Sequence, residues 1–212
     1  MSTESPQVLQ SLAGIVLAGG RSVRFGGEKA AAPLAGTPLL LWAVRRLARS
    51  CGAVAVNARA GTEAEALARV AALPVLHDEA GDAAGPLAGV KAGLVWAQAR
   101  GALSLAVSPC DAPLLPEDLF ARLSTVAGSG AAMAETADGV QPLCAIWPVS
   151  ALATLTAALK DGAHPPTWRM LESIGARRVR FDDSGAFANL NTRADLATLE
   201  SRLGERHLDA SR

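Results

Sequence analysis

Apolar positions along this chain fall into short unbroken runs and longer stretches at helical spacing, and the two alternate. Residues 1–11 form a mostly polar tail, after which GIVLAGG (14–20) reads as a buried strand that stops at glycines. TPLLLWAVRRLARS (37–50) carries apolar residues at helical spacing, with Thr37 as the cap and Pro38 in the first turn. AVAVN (53–57) predicts a short buried strand and TEAEALARVAA (62–72) an amphipathic helix. LPVLHD (73–78) predicts the next strand, and Gly85 and Pro86 open a helix that runs to about Arg100. ALSLAVSPCD (102–111) is a fourth predicted strand ending in a polar turn, followed by a helix over PEDLFARLSTV (116–126) with Pro116 near its start. The last third is less regular. AAMAETA and QPLCAIWP predict two strands around a turn at Asp138 and Gly139, one of them antiparallel to the rest. Helices over 149–160, 166–174 and 192–203 and a strand at RRVRF complete the pattern.

Strands that alternate with helices at this spacing need crossover connections. They therefore predict an α/β fold with a doubly wound, mainly parallel sheet and helices on both faces. Residues 12–204 form one predicted domain, between the N-terminal tail and a C-terminal tail at 205–212. In open sheets of this kind, ligands bind outside the carboxyl ends of the strands. The polar or glycine residues that end strands here are Gly19 and Gly20, Asn57, Asp78 and Asp111. All are expected to line one crevice.

Composition narrows the picture. The 212 residues are 50% hydrophobic and 19% charged, with 4% aromatic and no tyrosine, which suits close-packed helices on a sheet. Formal net charge is zero, so no global field draws in nucleic acid or an acidic membrane, and neither is an expected partner. Any anion site must be local. Cys51, Cys110 and Cys144 are far apart and show neither metal-ligand spacing nor an even count, which points to a reduced, cytoplasmic protein. The N-terminus lacks the basic start and apolar stretch of a signal peptide, and no run is long and apolar enough to predict a membrane span.

The local anion site has one strong candidate. LAGGRSVRFGGEK (17–29) places four glycines, two arginines and a lysine directly behind the first strand. The order fits neither the Walker A spacing nor the GxGxxG fingerprint. Small residues nevertheless let backbone N–H groups turn inward as an anion nest, with Arg24 as a planar fork and Lys29 as a mobile point charge. The alternative is a flexible surface turn with solvated cations. Asp111, in SPCDAPLLP, suits Mg²⁺ held together with substrate phosphates, or caps a turn. GPLAGV (85–90) is either a proline-started helix with small residues for close packing or a surface that admits a flat base or sugar. His77, His164 and His207 are scattered and read as structural or solvated, Cys110 as a small buried residue, and the tryptophans as packing residues. The arginines of ARRVRF fit a solvent-facing strand as well as a phosphate patch.

The loop resembles the pattern LAGGxSxRMGxDK of nucleotidyltransferases that activate sugars or cofactors with a nucleoside triphosphate. HDEAGDAAGPLAGV, SPCDAPLLP, QPLCAIWP and NLNTRADL follow in the order expected of molybdenum cofactor guanylyltransferases, over nearly the whole chain. The resemblance implies a Rossmann-like fold of the nucleotide-diphospho-sugar transferase type, with GTP and molybdopterin as substrates and Mg²⁺ as cofactor. It implies that Leu17, Ala18 and Gly19 contact the guanine and nucleotide, Lys29 the phosphates, and Asn57 and Asp78 the GTP. It further implies that Asp111 serves GTP and Mg²⁺, with Asn191 as a second metal contact. The chain departs from the pattern at Phe25, where methionine is usual, at Glu28 in place of aspartate, and at Arg193 in place of proline.

The implied reaction transfers GMP to the terminal phosphate of molybdopterin and releases pyrophosphate. A phosphate nucleophile is already anionic at neutral pH, so no strong general base is needed. Arg24, Lys29 and Asp111 carry the catalytic load by positioning anions and stabilising the leaving group. A recipient molybdoenzyme or cofactor-delivery protein is the implied protein partner. The alternatives are a cytidylyltransferase on the same cofactor, another small-molecule nucleotidyltransferase, or a carrier that binds without turnover. Gly19 and GPLAGV favour guanine, since the cytidylyl relatives more often carry LAAG, and an intact Lys29 and Asp111 favour turnover.

Overall fold

Successive side chains of a strand point to opposite faces, so a run such as LAGIVL is buried throughout only if both faces are covered. In the computed structural model, which describes residues 11–20, 25–79, 85–160 and 163–209, that is its situation. The central strand β1 (Leu12–Leu17) pairs in parallel with β4 (Ala53–Asn57) on one side and with β6 (Ser104–Pro109) on the other. β5 (Val75–Leu76) adds in parallel outside β4. On the far side come β8 (Gly139–Pro148), β7 (Ala132–Thr136) and β9 (Arg177–Arg180), giving the order β5-β4-β1-β6-β8-β7-β9. β8 alone runs antiparallel to its neighbours, because a tight turn at Asp138 and Gly139 joins it to β7. The one antiparallel strand predicted from the pattern is therefore present.

Helices α1 (Leu39–Ala48), α2 (Glu63–Val70) and α4 (Leu119–Ala127) cover one face, burying Leu40, Leu47, Ala68 and Leu123 against Val16, Val54 and Val56. Helices α3 (Pro86–Ala99), α5 (Leu152–Ala158) and α6 (Thr167–Ser173) cover the other, with Leu87, Leu94, Leu155 and Leu171 on Ile15, Leu105 and Trp147. Each fully buried leucine contributes about 1.5–3 kcal/mol relative to exposure. α7 (Arg193–Asp209) ends the described chain, and its Leu199 packs with Leu34 and Leu39.

Helix α3 lies unusually near the sheet. A Cβ at Gly93 would come within 2.8 Å of both Ile15 Cδ1 and Leu105 Cδ2, and one at Gly89 within 2.8 Å of Leu17 Cδ2. Of the two readings of GPLAGV, close packing is thus present, and the same packing brings the helix start to the strand ends.

The structure corrects several boundaries, among them the end of the last helix, which runs to Asp209 and into the expected C-terminal tail. Thr37 is not a helix cap: Thr37 and Pro38 form β3, paired with β2 (Pro33–Leu34) through a turn in which Ala35 and Gly36 have φ of 48° and 75°. Those positive angles suit a tight hairpin, and Pro38 becomes the residue that starts α1. Pro116 likewise precedes α4, its carbonyl accepting the Leu119 N–H at 3.2 Å in a preliminary turn. Among the described residues, no helix is long and apolar enough to cross a membrane.

Candidate active site

The carboxyl ends of β5, β4, β1 and β6 open onto a cavity of about 490 Å³ lined by Leu17, Ala18, Gly19, Gly20, Asn57, Asp78 and Asp111, among others. That volume lies in the range of small-molecule sites, roughly 300–1,000 Å³. The crevice expected from the strand ends exists, and every strand-end residue named for it lines it.

The cavity floor is backbone. Beyond the last residue of β1, the Ala18 N–H still donates to Asn57 O at 2.8 Å, which carries the pairing with β4 one residue further, up to Gly19 and Gly20 on the cavity wall. Arg24 lies outside the described residues. Glu28 also lines the cavity, and its Oε2 accepts the Ala64 N–H at 2.9 Å in the first turn of α2. A carboxylate there satisfies an amide without an intrahelical partner and complements the helix dipole. Glu28 therefore anchors the loop and leaves the next residue to face inward.

That residue is Lys29. Its Nζ donates to Asp111 Oδ2 at 3.1 Å and to Asn191 Oδ1 at 2.9 Å, with only 14% of the lysine side chain and 21% of the aspartate exposed. Asp111 lies two residues past the end of β6, and its carbonyl accepts the Leu190 N–H at 2.8 Å, which draws in the 189–191 segment. Asn191 is held from behind by Asp195, whose Oδ2 accepts the backbone N–H groups of Asn191 and Thr192, each at 2.8 Å. The Asp195 N–H returns a bond to Thr192 Oγ1 at 3.1 Å, a reciprocal cap at the start of α7. The Asn191 and Thr192 amides hold the Asp195 carboxyl below the usual carboxylate range. A departure in the loop meets one in the NLNTRADL segment, since the Arg193 guanidinium sits 5.9 Å from the Phe25 ring centroid. Together these contacts bring the glycine loop, the end of β6 and the start of α7 to one point.

Across β1, Asn57 is almost wholly buried and donates from Nδ2 to Asp78 Oδ1 at 2.9 Å and to Leu76 O at 3.3 Å. This fixes Asp78 although β5 is only two residues long. Cys110 is a correction: it is partly exposed and lines the cavity, although burial around its thiol, with the Asp111 charge as a second cause, pushes it up to about 12. It remains a neutral thiol. Arg59 and Leu143 also line the cavity and were not singled out from the sequence. Arg59 follows Asn57 by two residues, so the strand-end rule could have found it, whereas Leu143 arrives on the antiparallel strand and carries no such signal. No histidine is among the described residues that line the cavity. The arginines of β9 face solvent, with Arg178 paired to Glu135 at 2.9 Å and to Glu172 at 2.6 Å, which accounts for the strand without a phosphate.

A parallel sheet that gathers a glycine turn, a lysine and an aspartate at its strand ends has the architecture of a nucleotidyltransferase. Comparison with known proteins narrows this. Residues 14–179 match the family described as MobA-like NTP transferase domain, and the chain belongs to that family. It is 43% identical over 196 residues to a molybdenum cofactor guanylyltransferase of Cereibacter sphaeroides, covering 91% of this chain and 97% of the relative. A molybdenum cofactor guanylyltransferase of Cupriavidus pinatubonensis is 39% identical over 200 residues, covering 90% of this chain and 96% of the relative. Among solved structures, molybdopterin-guanine dinucleotide biosynthesis protein A from Archaeoglobus fulgidus aligns with a TM-score of 0.73 at 25% identity, over 91% of this chain and 99% of that one. The 4-diphosphocytidyl-2C-methyl-D-erythritol synthase of Anaerococcus prevotii aligns with a TM-score of 0.72 at 10% identity, over 94% of this chain and all of the other, and shares the fold.

Proposed function

We propose that this protein is a molybdenum cofactor guanylyltransferase, which transfers GMP from GTP to the terminal phosphate of molybdopterin. An acceptor phosphate oxygen forms a bond to the α-phosphorus as the bond to the β-phosphate oxygen breaks, and pyrophosphate leaves with that electron pair. The observation that carries this reading is the convergence of Lys29, Asp111 and Asn191 at the end of the sheet's central strands. The likeness to named guanylyltransferases over nearly the whole chain supports the same reaction.

The residues divide the task. Lys29 places a cation where phosphates converge, and the sequence of the loop assigns a second to Arg24. Together they offset repulsion between two anionic reactants and stabilise the charge on the departing pyrophosphate. Leu17, Ala18 and Gly19 give the base a backbone edge, while Asn57 and Asp78 hold the nucleoside. No side chain needs to take a proton from the nucleophile.

The donor set also fits magnesium. Asp111 Oδ2 and Asn191 Oδ1 both lie within hydrogen-bond reach of the same Lys29 Nζ, so two hard oxygens share one locus. Mg²⁺ is commonly held by one or two such ligands plus substrate phosphates. When bound there by Asp111 and Asn191, it supplies neutralisation of phosphate charge.

The test is pyrophosphate release with molybdopterin and each of the four triphosphates in turn. GTP-dependent release with formation of the guanine dinucleotide is expected. Binding of GTP without release would replace the reading by that of a carrier.

A further inference from the structure

His164 lies between α5 and α6, and its ring reaches the start of α3. The first amides of a helix have no partner within it, and the capping residue of α3, Gly85, has no side chain to offer them. The Leu87 N–H donates instead to His164 Nε2 at 3.3 Å. A backbone amide only donates, so the ring nitrogen that faces it is the acceptor of this contact. The same ring fills the space that a side chain at residue 85 would need: an added Cβ would overlap the imidazole. Gly85 has φ of 162° and ψ of 174°, extended backbone that any residue adopts. The histidine, not the backbone, is what demands glycine there.

Gly85 and Pro86 line the cavity, whereas His164 is not among the lining residues and stands behind them. One turn further along α3, the buried Lys91 pairs with Glu79 at 2.7 Å, the residue after Asp78. The first two turns of α3 are thus tied at one point to a distant loop and at another to the strand end that carries Asp78.

We propose that His164 is a positioning residue, which fixes the Gly85–Pro86 wall and the first turn of α3 against the nucleoside part of the bound nucleotide. This rests on the guanylyltransferase reading. The wall opens the helix whose Gly89 abuts the Asn57 side chain, and the hydrogen bonds described for Lys29 run to Asp111 and Asn191 instead. Losing the contact should therefore act on nucleotide affinity rather than on the chemical step.

The experiment measures GTP turnover with molybdopterin, and wild-type turnover is established first. Without it the guanylyltransferase reading fails, and the positioning role falls with it. His164→Leu fills similar space without an acceptor and should raise KM for GTP roughly tenfold while kcat stays within about twofold. His164→Gln offers a carbonyl acceptor and should recover most of that loss. Gly85→Ala alone should raise KM, and Gly85→Ala combined with His164→Ala should cost less than the sum of the single changes, because the methyl group then enters vacated space. If wild type turns over but His164→Leu leaves KM within about twofold, or lowers only the melting temperature, the positioning role is overturned while the reaction assignment stands. Strict additivity of the Gly85 and His164 changes, or no recovery in His164→Gln, overturns it equally.

Discussion

Lys29 donates to two oxygens from separate elements, one from just past the end of β6 and one from the start of α7. Lys29→Ala leaves that pair without its shared cation and removes the charge assigned to the phosphates. The expected outcome is weaker GTP binding and a fall in kcat/KM of about 10²–10³, comparable with the loss of one preorganised donor. Unchanged kcat/KM would take the loop out of the mechanism. Glu28 provides the contrast. Glu28→Gln keeps an oxygen for the Ala64 amide and loses only a charge at a helix start, an effect of about 0.3–1 kcal/mol. It should therefore slow turnover by well under tenfold. Asp111→Asn is nearly isosteric and retains an oxygen toward Lys29, so the fold should persist while transfer falls by about 10². Pyrophosphate release over a magnesium titration reads this. Turnover within about threefold of wild type at limiting Mg²⁺ would make Asp111 a structural residue.

At the scale of elements, α3 joins packing to the site. Its glycines recur every four residues, so Gly89 and Gly93 lie on one face, but they meet different neighbours. Gly93→Ala would push on Ile15 and Leu105 in the core, and Gly89→Ala on Leu17 and the amide of Asn57. Each overpacking should cost about 1–3 kcal/mol, partly offset by roughly 1 kcal/mol of helix propensity. Urea unfolding should place the two variants close together, while KM for GTP should rise clearly only in Gly89→Ala. Equal rises in both would mean that the whole helix moves and that Asn57 has no separate part. Much of this arrangement was legible in the sequence, because buried strands such as GIVLAGG and ALSLAVSPCD are apolar runs broken by polar residues where the sheet ends. The hairpin of β2 and β3 was not, since two-residue strands have no periodicity and Thr-Pro before an apolar stretch equally describes a helix start. His164 was read as structural or solvated, and its contact with Gly85 joins parts of the chain that no local pattern connects. Asn191 came from resemblance alone. The hydrogen bonds from Leu190 to Asp111 and from Asn191 to Asp195 that bring it to Lys29 are tertiary and leave no local trace.

Across the whole molecule, the sheet order sets the distance between the two halves of the site. β4, with Asn57, and β6, with Asp111 just beyond it, flank β1, so their ends are two strand spacings apart, or about 10 Å. In the guanylyltransferase reading, the nucleoside occupies the β4 and β5 side and the phosphates reach toward β6, with the backbone of residues 17–19 between them. Guanine offers a carbonyl acceptor and two N–H donors on its pairing edge, and the Leu17–Gly19 backbone can present a matching carbonyl and N–H. GTP should accordingly be preferred over CTP and ATP by at least roughly tenfold in kcat/KM, which requires only ~1.4 kcal/mol of differential transition-state binding. Gly19→Ala tests the contact without disturbing the fold. Among the described residues a Cβ there would meet Asn57 Oδ1 alone, at an ordinary 3.6 Å, so they accommodate the methyl group and the base is displaced. The variant should keep its wild-type melting temperature and lose part of its preference for GTP over CTP. Competition between labelled GTP and CTP, with molybdopterin as acceptor, reads both statements in one mixture. Equal use of the two triphosphates by the wild-type protein would sink the guanylyl specificity, and it would leave the lysine, aspartate and asparagine cluster as the site of a less selective nucleotidyl transfer.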